Sequence, residues 1–152
     1  MRSSVHSAIF AAILVFFVYL GEGMGGFRPF LNLEALLIVF IGLGLFLAAS
    51  YSAGEVLAAL RCGFFGAAPG DAETAAASAE ILEYAASGAV KVSVLGTLFA
   101  LILVLSSPGN SEAGVLMRRL ALALDVPFFG YFLASMVFTP MARRVSRQAA
   151  KR

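Results

Sequence analysis

Four apolar stretches, each near or beyond the roughly 20 residues that cross a bilayer core, leave this chain little choice of fold. They run from about Val5 to Leu20, Leu33 to Ala53, Ala89 to Leu105 and Leu120 to Ala142. Backbone polar groups find no water in hydrocarbon, so such segments cross as helices. The expected fold class is an all-α membrane protein: a single domain over residues 1–152 with four transmembrane helices and a short helix between the second and third. Charged residues make up only 13% of the chain, about half the share of a globular protein. The net charge of +2 is too small and scattered for a nucleic-acid footprint, and no nucleic-acid partner is expected.

The first stretch follows Arg2 and has the outline of a signal peptide. Tyr19-Leu20-Gly21-Glu22 is a poor cleavage site, however, so a retained helix is expected. Lys and Arg near span ends orient the rest. Arg143, Arg144, Arg147, Lys151 and Arg152 crowd the tail, and Arg61 and Lys91 bracket the second connection. These regions are expected on the cytoplasmic side of a bacterial inner membrane, with both termini there. Arg118 and Arg119 are the exception, falling outside.

The connections read as turns and one helix. Gly21, Gly23, Gly25 and Gly26 with Pro29 suit a tight external turn. They lack the Lys-Ser/Thr context of a phosphate loop. Asp71 is a natural N-cap after Pro69-Gly70, with Glu73 in the first turn of a helix over about 71–88. A break or weakening is expected near Gly88. Residues 106–111 form a turn by composition, and an amphipathic stretch from Glu112 to Leu124 leads into the fourth span.

Few residues carry chemistry. Cys62 is a lone cysteine and His6 a lone histidine, so no disulfide, metal site or cofactor is expected. No nucleophile–base pair suggests an enzyme. Small residues form helix-face rows: Gly44, Ala48 and Ser52; Ser93, Gly96 or Thr97, and Ala100; Pro127, Gly130 and Ala134. Such rows mean close helix packing or a narrow pore lining. Packing within one subunit accounts for the first row, while Ser93 and Thr97 suggest something more. Asp125 lies about one turn inside the fourth apolar run, either as an interfacial acid beside Arg118 or Arg119 or as a pore-facing or partner-facing group.

Three stretches in order resemble the MotA/TolQ/ExbB family, closest to its flagellar stator branch. Gly25-Gly26-Phe27-Arg28-Pro29-Phe30, running on through Asn32-Leu33-Glu34, is similar to that branch's turn and second-span start. Val94-Leu95-Gly96-Thr97-Leu98 resembles the Gly-Thr step of the third span. Phe129-Gly130-Tyr131-Phe132-Leu133-Ala134, then Phe138-Thr139-Pro140-Met141-Ala142, resembles the fourth span and its proline exit. The resemblance implies a homopentamer around a pore lined by the third and fourth spans. It also implies two single-span partners of the MotB/ExbD/TolR kind, each bringing an aspartate that takes up and releases a proton. By position, Thr97 matches the pore threonine, Pro140 the exit proline, and Gly130 and Ala134 the small positions of the pore wall. Where the family has a threonine three residues before the fourth-span glycine, this chain has Pro127. The cytoplasmic connection is also much shorter than in flagellar stators. Ser93, Thr97, Ala100, Asp125, Pro127, Gly130 and Ala134 are therefore the expected pore-facing set. The alternatives are a non-conducting scaffold on the same fold and an unrelated transporter acting alone.

Overall fold

A computed structural model of the chain describes residues 32–66, 72–106 and 113–150, with Ala12, Val15, Phe16 and Tyr19 as isolated helical positions ahead of them. The rest of the first stretch, the glycine turn, the Asp71 cap and the turn over 107–111 lie outside the described residues. Those described are helical apart from Asn32, Gly66, Ala150 and the link over 49–52, and none is in a strand. In chain order the elements are α1 (Leu33–Ala48), α2 (Ala53–Phe65), α3 (Ala72–Ser106), α4 (Ala113–Phe132), a π-helical segment (Leu133–Phe138) and α5 (Thr139–Ala149).

The second apolar stretch is shorter as a helix than its hydropathy suggests. Asn32 starts α1, its side chain accepting from the amides of Glu34 at 3.1 Å and Ala35 at 3.3 Å, and so satisfying donors that no helix turn reaches. The helix stops at Ala48 rather than near Ala53, because Ser52 opens a new one. Ser52 and Glu55 form a capping box, the Ser52 amide donating to the Glu55 carboxylate at 2.7 Å. This hydrogen bond from the Ser52 amide and hydroxyl holds the exposed Glu55 carboxyl below its ordinary 4.5. The chain bends by 116° between α1 and α2, so the second apolar stretch is not one straight helix.

No break occurs near Gly88. The polar 71–88 segment and the third span are one helix of 35 residues, about 52 Å at 1.5 Å per residue. That is well beyond the roughly 30 Å of a bilayer core. A glycine is kept at position 88 because a side chain there would overlap the Phe46 ring. The fourth span is also longer than expected, since α4, the π segment and α5 run on as one helix from Ala113 to Ala149. Pro127 leaves α4 unbroken. The irregularity falls instead just before Pro140, which has no N–H for the carbonyl of Met136 and crowds it. A wider turn absorbs the misfit, with the Thr139 amide bonding back to Ala134.

The core sits at one end. Ala75, Ala79, Leu82, Ala85 and Ala89 of α3 are buried with Ala59 of α2 and with Met141, Ala142 and Val145 of α5. Small side chains dominate, so the backbones approach closely. Toward its other end α3 exposes Leu95, Leu98, Phe99, Ile102 and Leu105, which is how a helix surface looks when lipid covers it. Among the described residues, two helices are long and apolar enough to cross a membrane, or three if the bent α1–α2 pair counts as one span.

Candidate functional site

The expected pore residues meet along the α3–α4 contact, but on different sides of it. Ser93 is fully buried, and its hydroxyl donates to the carbonyl of Val90 at 2.8 Å. Gly130 lies directly against it: an added Cβ would overlap the Ser93 side chain and stand 2.7 Å from the carbonyl oxygen of Ala89. Ala134 is buried one turn further on. Ser93, Gly130 and Ala134 are thus a packing seam inside the chain, where the sequence reading had them lining a pore. Ala100 turns toward a groove of about 360 Å³ between α1, α3 and α4, shared with Ala35, Ala123 and Arg119.

Thr97 is half-buried, and its hydroxyl donates to the Ser93 carbonyl at 2.8 Å. The row Gly88, Val92, Gly96 faces α1, meeting Phe46, Gly42 and Ile38. Thr97 lies about 100° further round the helix, away from α1. The helices run antiparallel, with Ser93 opposite Gly130 and Gly96 opposite Val126, so Thr97 is level with Asp125. A window of roughly 20 residues ending at Ser106, the last described residue of α3, has its centre beside Thr97.

Asp125 is not on the Thr97 side. It is 9% exposed, and its carboxylate accepts from the side-chain amide of Asn32 at 3.4 Å. Pro127 lies two residues, or about 200°, further round α4, on the side turned away from α1. The free side of the seam therefore carries Thr97 and Pro127, and Asp125 belongs to the α1–α4 contact. Asn32 was missed as a functional residue, although an Asn before an apolar run is a cap signal. Its reach to Asp125, 93 positions away, has no local signature. Among the described residues, nothing packs on the row Gly44, Ala48 and Ser52. It is exposed, and a Cβ at Gly44 meets nothing within 4 Å.

With this geometry in hand, the profile of the MotA/TolQ/ExbB proton channel family matches residues 64–152, more than half of the chain. The chain belongs to this family. No curated protein matches it. Its fold is similar to a chain in the structure of the flagellar MotAB stator complex from Bacillus subtilis, at 19% identity and a TM-score of 0.69, over 93% of this chain and 82% of that one. The family match spans α3, α4 and α5 and with them the seam, Thr97 and Pro140. The MotA-like fold extends further, to α1 and α2.

Proposed function

We propose that this membrane protein is the ring-forming subunit of an ion-driven motor in a bacterial inner membrane. Four spans per copy, both termini cytoplasmic and five copies around a pore complete the reading. Two single-span partners of the MotB/ExbD/TolR kind stand inside, each with an aspartate that a proton loads and leaves. Ion flow then turns or reshapes the ring around them. The observation that carries this is the position of Thr97, a hydroxyl on the side of the α3–α4 seam turned away from α1, which the reading puts at mid-membrane. On that side it can accept from a protonated partner carboxyl while its own hydrogen stays on the Ser93 carbonyl. Ser93, Gly130 and Ala134 act behind it, holding α3 and α4 together. Pro140 ends the spanning part through the π turn, and Asp125 fixes α1.

Pro127 favours a second reading, a non-conducting scaffold on the same fold. It stands where the family has a second threonine and leaves Thr97 without a hydroxyl across the seam. One experiment separates the two. The chain is co-expressed with its genomic neighbour, purified, weighed intact and reconstituted for proton flux. The motor reading expects five copies with two partners, a flux that disappears with the partner aspartate, and a strong loss for Thr97→Val without loss of the ring. An intact complex with no flux, regained by Pro127→Thr, would establish the scaffold. A monomer without a partner would remove both.

A further inference from the structure

The bent helix α2 ends among arginines at the edge of the membrane, and its outer face is suited to neither water nor the bilayer interior. Aromatic side chains set its depth. Tyr84 stacks on Phe46 at 4.7 Å, meets the Tyr51 ring at 5.3 Å and bonds the Ser50 hydroxyl at 2.9 Å. Amphipathic rings of this kind gather at headgroup level. On one side of this cluster α3 carries Lys91, 5.7 Å from the Phe46 ring centre, and then no charge as far as Ser106. On the other come the exposed Glu83 and Glu80. α2 packs on this second side, where a Cβ at Gly63 would overlap the Met141 side chain and stand 3.3 Å from Leu82. Leu82 is about half a helical turn beyond Tyr84, and the headgroup layer is roughly 5–8 Å deep. The Gly63 end of α2 therefore lies within that layer.

Its outward face carries Leu57 at 50%, Phe64 at 61% and Phe65 at 86% exposure. Arg61 stands among them, one turn from both Leu57 and Phe64 and also exposed. From α5, the Arg144 guanidinium donates to the Phe64 carbonyl at 3.4 Å, bringing a second cation to this end of α2. Arg143 and Arg147 are exposed beside it. The one carboxylate of α2, Glu55, is at the opposite end and folded back onto Ser52.

We propose that this face is a binding site for an anionic phospholipid. Arg61 and Arg144 hold the phosphate, and Leu57, Phe64 and Phe65 lie against the glycerol and upper acyl chains. Large apolar side chains ringing a guanidinium at headgroup depth match a lipid, which offers a fixed negative charge directly above hydrocarbon. The inference rests on the membrane reading alone, and neither ion conduction nor the choice of cytoplasmic face enters it.

The test weighs the purified full-length complex intact while phosphatidylglycerol or phosphatidylcholine is titrated into its detergent. Phosphatidylglycerol should be retained several-fold more than phosphatidylcholine. Arg61→Gln with Arg144→Gln should bring the two to the same level, with oligomeric mass and helicity unchanged. If the double variant does not purify, Arg61→Gln alone should lose most of the preference and Arg61→Lys should keep part of it. Equal retention of both lipids by the unaltered complex would overturn the proposal, as would variants that keep the preference. A changed oligomeric mass with unchanged lipid retention would also overturn it, making the face a contact between copies.

Discussion

Asn32 uses both ends of its side-chain amide. The oxygen caps α1 through the Glu34 and Ala35 amides, and the nitrogen reaches the Asp125 carboxylate. These contributions differ in kind. A lost cap costs about 1 kcal/mol, while a buried acceptor deprived of its donor costs about 1–3 kcal/mol. They can be separated by substitution. Asn32→Ser keeps a cap but is too short for Asp125, whereas Asn32→Ala loses both. Thermal unfolding of the detergent-solubilised protein should rank wild type above Asn32→Ser and Asn32→Ala lowest. Asp125→Asn should fall well short of Asn32→Ala, because an amide can still bond Asn32. If Asn32→Ser were as stable as wild type, the Asn32–Asp125 bond would contribute nothing. At this scale the sequence did not show the partner of Asp125. An acid one turn inside an apolar run gives no sign of which neighbouring helix it meets, and only the packing of α1 on α4 brings Asn32 to it.

Among the elements, glycines divide into those that hold helices together and those that do not. A Cβ at Gly130 collides with Ser93, while one at Gly44 meets open space. Gly130→Ala should therefore destabilise by about 1–3 kcal/mol through overpacking. Gly44→Ala should be neutral or stabilising by up to about 1 kcal/mol from helix propensity. Melting temperatures of the two variants check this, and a damaging Gly44→Ala would place another helix on that face. The two rows look alike in sequence, since small-xxx-small spacing marks a contact face without saying which partner meets it. The helix over 71–88 was legible from its composition, with Glu73 in the first turn of α3. The α1–α2 bend was not, because Ser52 and Glu55 make a cap within a run whose hydropathy continues across it. That cap titrates. Glu55 is held below its ordinary value of 4.5 in the folded chain, so its contribution is complete above that value and lost as pH falls through the lowered one. Amide exchange in the first turn of α2, measured against intrinsic rates, should lose protection on acidification below about pH 4.5, and Glu55→Gln should abolish that step.

For the molecule as a whole, the order of long helices was readable because hydrocarbon imposes a minimum length and excludes charge. The pairing of faces was not, because apolar helices offer many similar surfaces. Orientation lies between the two. Five basic residues in the tail favour a cytoplasmic C-terminus, against Arg118 and Arg119 near the opposite end of α4. Arg119 lines the groove that Glu34 and Asn32 also line, so its charge faces polar groups at the start of α1. Positive-inside bias counts cations near span ends, and five in the tail outnumber this pair. Replacing Cys62, the one cysteine, by serine leaves a background on which single reporters can be placed. Arg147→Cys on α5 and Met117→Cys near the start of α4 are both at exposed positions. A membrane-impermeant maleimide should label the 147 reporter only in inverted vesicles and the 117 reporter only in right-side-out ones. The reverse pattern would leave every helix contact standing while moving the basic tail outside. Labelling of both from one side would mean that α4, the π segment and α5 do not cross the membrane, and the ring with a pore would fall with it.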